Sequence, residues 1–127
     1  LLCPNEKEAR IALQDKESGL ESLSKNLIAE TGSEMLIMKL GAQGFIAFDP
    51  NLEGVISQSF PALSSNPVDV SGAGDSLLAI MATALSTERK LMPAAALGCC
   101  MSAIAVENMG NKPIYASQLK EFVMELL

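Results

Sequence analysis

Residues 35–40, MLIMKL, constrain the fold of this chain more than any other stretch. A short, continuous apolar run of this kind suits a β-strand buried on both faces. Such a strand needs other layers above and below it, so the chain is expected to be α/β, with helices packed around a sheet. GAQG (41–44) turns the run into FIAFD (45–49), and DPNLEG (49–54) carries turn residues before VISQSF (55–60). Three neighbouring strands with tight turns predict a meander that edges onto a larger sheet.

Helical patterns lie on either side. Pro4, Asn5 and Glu6 read as a helix start, with Ala9, Ala12 and Leu13 on one face. DKESG (15–19) is a polar break. LESLSKNLIAETG then brings Leu20, Leu23, Leu27 and Ile28 into one stripe, with Gly32 as the stop. From Pro61 to Asp69 the chain is loop-like. SLLAIMATALS (76–86) and, past a charged turn at 88–90, PAAALGCCMSAIAVENMG (93–110) are both helical in composition. The second is rich in small residues and can approach a neighbour closely. Pro93 near its start and Gly110 at its end fit the usual asymmetry of helix boundaries. A last helix, SQLKEFVMELL (117–127), has Leu119, Phe122, Val123 and Leu126 at core spacing. LLCPN (1–5) reads like the last residues of a strand, so the chain is expected to start inside a longer protein.

Composition excludes several functions. With 9 Lys+Arg against 15 Asp+Glu the net charge is −6, the wrong balance for a nucleic-acid backbone. A single nucleotide is still acceptable, since backbone amides hold phosphates without a basic patch. No apolar run is long enough to cross a membrane, and none resembles a signal peptide. There is no histidine, which removes His-based triads and most zinc sites. Cys3, Cys99 and Cys100 show no disulfide or metal spacing, so a reduced, cytoplasmic setting is expected. Cys99 and Cys100 read as packed helix residues, and the seven methionines as core filler.

VDVSGAGDSLLA (68–79) is the stretch with chemistry in it. Gly72 and Gly74 permit backbone angles that other residues resist, and Ala73 keeps the side-chain layer thin. A helix starting near Ala73 leaves its first N–H groups unpaired, and its N-terminus carries roughly +0.5 of an elementary charge. Together these make an anion hole suited to a transferring phosphoryl group. Asp75, in the first turn, has its charge favoured by the dipole. It can accept a proton from a hydroxyl attacking phosphorus. Asp69, six residues earlier, orders the loop or binds a cation. The plainer alternative is a glycine-rich turn in which Asp75 only supports the dipole.

DVSGAGDS resembles the D-T-x-G-A-G-D signature of the ribokinase-like, or PfkB, carbohydrate kinases. The resemblance implies that Asp75 is the catalytic base and that Gly72, Ala73 and Gly74 form the anion hole. The signature's second position is usually Thr. Val70 stands there in this chain, as in members resembling the heptose-phosphate kinases. PNEKE (4–8) resembles the family's N-x-x-E segment, which implies that Asn5 and Glu8 help arrange magnesium and phosphate. An N-cap Asn with acidic residues in the first turn is the other reading. KLGAQG (39–44) resembles the family's T/K-L-G-x-x-G loop, which implies that Lys39, Gly41 and Gly44 approach ATP. A hairpin turn with an exposed lysine is the alternative. The helix at 94–108 and ENMG after it sit where the family builds its adenine wall. Ala105, Asn108 and Gly110 there take places where carbonyls surround a monovalent cation such as K+, or the base. Close helix packing explains small residues there equally well.

The resemblance implies a ribokinase-like three-layer α/β/α fold, of which residues 1–127 are the C-terminal, nucleotide-binding portion of a single kinase domain. It also implies transfer of the γ-phosphoryl group of ATP to a hydroxyl of a sugar or sugar phosphate, with magnesium. The alternatives are a phosphate- or nucleotide-binding module without catalysis, or a kinase for a nucleoside or vitamin-like alcohol. Nothing in residues 1–127 holds an acceptor hydroxyl near Asp75, so this portion alone is expected to be inactive. LLCPN and one face of MLIMKL are expected to lack sheet neighbours and to favour a homodimer.

Overall fold

The computed structural model describes residues 1–54, 56–64, 72–87, 90–110 and 112–127. It divides into two compact units, Leu1–Pro61 and Ala62–Leu127.

In the first unit, α1 (Glu6–Leu13) and α2 (Leu20–Thr31) precede an antiparallel meander of β1 (Leu36–Lys39), β2 (Phe45–Phe48) and β3 (Ser57–Phe60). The predicted strands are present, each trimmed to four residues. Leu36 faces Phe48 across the ladder and Met38 faces Ile46, so these four share one side of the sheet. That side packs on the helices. Leu36, Met38 and Phe48 form one core with Ala9 of α1 and Leu23 and Leu27 of α2. Truncating one such buried Leu to Ala costs about 2–5 kcal/mol. The opposite side carries Ile37 and Ala47, also without exposure, and Phe45 stacked on Phe60 with centroids 5.2 Å apart.

Residues 2–5 run parallel to β1. The Leu2 N–H donates to the Met35 carbonyl (3.0 Å), the Ile37 N–H to Leu2 (2.7 Å) and the Lys39 N–H to Pro4 (2.9 Å). LLCPN is thus an extended segment at the sheet, as its composition suggested. The expected uncovered face of MLIMKL is a correction: Leu36, Ile37 and Met38 are each fully buried. Ala12 is a second correction, since it is exposed. The eight-residue α1 offers only a narrow stripe to the sheet, centred on Ala9 and Leu13. Gly32 ends α2 as predicted, at φ 70° with its N–H on the Ile28 carbonyl (2.9 Å).

The second unit is helical: α3 (Ala73–Ser86), α4 (Leu91–Val106) and α5 (Ala116–Leu126). α3 and α4 pack closely because Gly98 has no side chain. A Cβ built there would lie 2.5 Å from Leu77 Cδ1 and 3.2 Å from Met81 Sδ. The small-residue composition of α4 therefore has the packing consequence read from it. Pro93 lies near its start as expected, whereas its end differs from expectation. It begins at Leu91, with Pro93 third in the helix, where a missing N–H leaves no bond unmade. It stops at Val106, because the Glu107 N–H (3.3 Å) and the Asn108 side-chain amide (2.8 Å) both turn back to the Ile104 carbonyl. Gly110, at φ 78°, lies in the following loop and not at the helix end. α5 packs against α4, but its apolar stripe is not core: Leu119, Phe122 and Val123 are half-buried and Leu126 is 55% exposed. Among the described residues no helix is long and apolar enough to cross a membrane.

Candidate functional site

The glycine bend enters α3 in the predicted way. Gly72 is the N-cap at φ 75°, ψ −3°, a left-handed conformation that glycine adopts without strain. Gly72 has no side chain with which to cap the helix, and no side-chain cap is present among the described residues. The first helical bond runs from the Ser76 N–H to the Gly72 carbonyl (2.9 Å). The N–H groups of Ala73, Gly74 and Asp75 precede it, so the helix supplies them no acceptor. Gly72, Ala73 and Gly74 are half-buried. The Asp75 side chain is exposed and makes no hydrogen bond or ion pair among the described residues. A free carboxylate thus stands in the same turn as three donor groups aimed out of the helix. Asp69 and Val70 lie outside the described residues.

Four residues separate the end of α3 from the start of α4, and Gly98 meets Leu77 and Met81 midway, so the two helices run antiparallel. The start of α3 and the end of α4 consequently lie at one end of the pair. Ser64, in the loop leading toward the bend, donates its hydroxyl to Glu107 Oε1 at that end (3.4 Å). Asn108 and Gly110 belong there too. The Asn108 side chain closes the helix, Ala105 is buried, and Gly110 is exposed.

The first unit gathers the other motif residues at the carboxyl ends of β1 and of the parallel segment 2–5. Such strand ends are where ligands enter open α/β sheets. Asn5 and Lys39 are bridge partners. Asn5 caps α1: its Oδ1 accepts the Glu8 N–H (2.7 Å), and its own N–H donates to Glu8 Oε2 (2.8 Å). The N-cap reading of N-x-x-E is therefore correct as far as it goes, and it leaves one Glu8 oxygen outside the box. KLGAQG forms a tight turn. Gly41 (φ 61°) and Gly44 (φ 90°) bracket a 3-10 turn, and the Leu40 N–H donates to the Gly44 carbonyl (2.8 Å). A Cβ at Gly41 would meet nothing within 4 Å, so its glycine answers backbone geometry and not crowding. Lys39 is half-buried and close enough to Cys3 that its charge opposes the rise in thiol pKa caused mainly by burial. Among the described residues no group of three or more acidic or thiol side chains could hold a metal ion.

The cysteines of α4 are packed, as expected. Burial pushes the Cys99 thiol up to about 11, with Cys100 beside it adding to the rise, and burial raises Cys100 as well. Sequence reasoning passed over Gln14, a non-glycine residue at φ 52° that closes α1, and Glu107, whose carboxylate holds Ser64. Neither carries a glycine or a motif that could have signalled it.

Residues 1–115 match the family described as pfkB family carbohydrate kinase. The bifunctional protein HldE of Campylobacter jejuni is 31% identical over 125 residues, which is 96% of this chain and 26% of that protein. Ribokinase from Thermotoga maritima superposes with a TM-score of 0.82 at 26% identity, covering 96% of this chain and 41% of that one. Phosphofructokinase-2 from Escherichia coli, solved in complex with potassium, gives a TM-score of 0.83 at 18% identity, with 98% and 40% covered. The chain thus has the ribokinase-like fold, and it spans about a quarter of the length of the HldE relative and about two fifths of these structures.

Proposed function

Since the chain belongs to the pfkB family of carbohydrate kinases, we propose that it is the nucleotide-binding and catalytic-base portion of a single kinase domain that phosphorylates a sugar or sugar phosphate. A hydroxyl oxygen of the acceptor attacks the γ-phosphorus of ATP. The new O–P bond forms as the bond to the β-bridging oxygen breaks, leaving ADP, and the hydroxyl proton passes to Asp75. The amides at 72–74 stabilise charge on the phosphoryl oxygens as it spreads in transit. Magnesium, when bound with ATP, neutralises phosphate charge. Asn5, Glu8 and Asp69 serve it, and their oxygens suit a hard cation that keeps several waters. Lys39, Gly41 and Gly44 serve the nucleotide, as do Asn108 and Gly110, the last two also toward K+. Val70 favours a heptose-phosphate-like acceptor. The setting is the cytoplasm, and a homodimer belongs to the same reading.

The observation that carries this proposal is the start of α3: a left-handed Gly72 and, among the described residues, no side-chain cap and an Asp75 carboxylate without a partner in the first turn. In the whole protein, Asp75→Asn should lower kcat by at least about a hundredfold while ATP affinity stays nearly unchanged. Equal turnover by the variant would remove Asp75 from the chemistry.

A further inference from the structure

We infer that Glu107 is a positioning residue for the glycine bend: it holds Ser64, and through Ser64 it fixes where the chain enters the segment that leads to Gly72. The inference rests on the kinase reading above. As a mere solvated end of α4, Glu107 would be badly chosen. It is the C-cap of that helix, whose last turn carries no basic residue. A helix C-terminus bears roughly −0.5 of an elementary charge, so a carboxylate there is repelled where a lysine or arginine would be drawn in. The contact with Ser64 offsets that conflict. The Ser64 hydroxyl donates to Glu107 Oε1 (3.4 Å) and joins positions 43 apart in the chain.

The acceptor is carried on fixed backbone. The Glu107 N–H donates to the Ile104 carbonyl (3.3 Å), and the Asn108 side-chain amide donates to the same oxygen (2.8 Å). Ser64 lies outside any helix or strand, so its place depends on what holds its side chain. From Ser64 the chain runs to Gly72, the N-cap of α3, with Asp75 in the first turn. The start of α3 and the end of α4 lie at one end of the antiparallel pair, so that segment is pinned to the same place at both of its ends. Pinning removes freedom that the chain would otherwise lose only when a phosphoryl group binds. A hydroxyl on a carboxylate usually closes to about 2.5–3.0 Å, so a bond of 3.4 Å carries modest weight. The Asn108 bond to Ile104 does not use the Glu107 carboxylate, so removing that carboxylate should disturb the bend more than the nucleotide.

The test uses the whole protein and two probes, ADP with magnesium and the same with aluminium fluoride, a mimic of the phosphoryl group in transit. Hydrogen exchange across residues 60–76 is the readout that needs no nucleotide. Ser64→Ala and Glu107→Ala should each weaken binding of the aluminium fluoride complex about five- to tenfold, with ADP alone changed less than about twofold. Exchange in that stretch should be about fivefold faster, and Tm should move by no more than about 4 °C. Glu107→Gln keeps an oxygen for the Ser64 hydroxyl and should stay within about twofold of wild type on both probes. The double alanine variant should be no worse than either single one. Glu107→Gln as weak as Glu107→Ala would show that charge and not the bond acts, and would overturn the inference. Alanine variants that match wild type, effects that multiply in the double variant, or equal weakening of both probes would overturn it too. A wild-type protein that binds ADP no more tightly with aluminium fluoride would remove the kinase reading and with it the role given to the pair, while faster exchange in both alanine variants would leave the tether itself standing.

Discussion

Gly98→Ala tests the packing that holds the proposed base. The added Cβ would sit 2.5 Å from Leu77 Cδ1 and 3.2 Å from Met81 Sδ, whereas carbon contacts settle at about 3.5–4.0 Å. Leu77 is only 3% exposed and Met81 not at all, so neither has open space to swing into. Overpacking a filled core costs about 1–3 kcal/mol, and Ala returns about 1 kcal/mol over Gly inside a helix. The net loss should be about 1 kcal/mol and no more than about 2. Leu77 lies two residues past Asp75 on the same helix, so displacing it also shifts the acid. A misplacement of about 1 Å can cost about a hundredfold in rate, so kcat should fall further than stability alone explains. A double-mutant cycle by urea unfolding isolates the contact. Leu77→Ala alone opens a cavity and costs about 2–5 kcal/mol. Combined with Gly98→Ala, the new methyl enters that cavity, and the pair should be coupled favourably by about 1 kcal/mol or more. Free energies that add to within about 0.5 kcal/mol would refute the claim that these side chains meet.

Three other outcomes follow from local geometry. Gly32→Ala forces an L side chain to φ 70° and should cost about 1–2 kcal/mol in a thermal melt, although no atom crowds the site. The buried Cys99 thiol is neutral in the folded state to about pH 11, against an ordinary value of 9.0. Its contribution is complete below pH 9 and is lost as pH rises through about 11, so the urea midpoint should fall across that window, and less so in Cys99→Ala. The Ser18 hydroxyl, then the backbone N–H groups of Ser18 and Glu17, hold the Asp15 carboxyl below its ordinary 3.8. Its contribution is present above that value and lost as pH falls through the lowered one. A carboxyl NMR titration should show the midpoint rising in Ser18→Ala, and no movement would contradict the assignment.

The sequence made some of this legible because the relevant signal is local. MLIMKL reads as a strand since only Lys39 in it asks for water, and Leu36, Ile37 and Met38 are indeed fully buried. Gly32 and Gly72 mark helix boundaries because the backbone there is left-handed. The spacing in α5 names a face but not a partner, so Leu119, Phe122 and Val123 are only half covered. The end of α4 was misjudged because Gly110 is the visible punctuation, while the closing bonds come from Asn108 and Glu107. PNEKE allowed two readings, and only the reciprocal bonds of Asn5 and Glu8 reveal the capping box. The pairing of residues 2–5 with β1 joins positions over thirty residues apart, which no local pattern encodes.

The account's central claim is that the open first turn of α3 receives the phosphoryl group in transit, beside an acid free to take a proton. Its most direct test is a crystal structure of the whole protein with ADP, magnesium and aluminium fluoride, a mimic of that group. The account predicts fluoride atoms about 2.7–3.1 Å from the Ala73 and Gly74 amide nitrogens, with an Asp75 oxygen facing the open axial side. Aluminium fluoride bound away from these amides, or Asp75 turned from it and paired with another side chain, would contradict the claim.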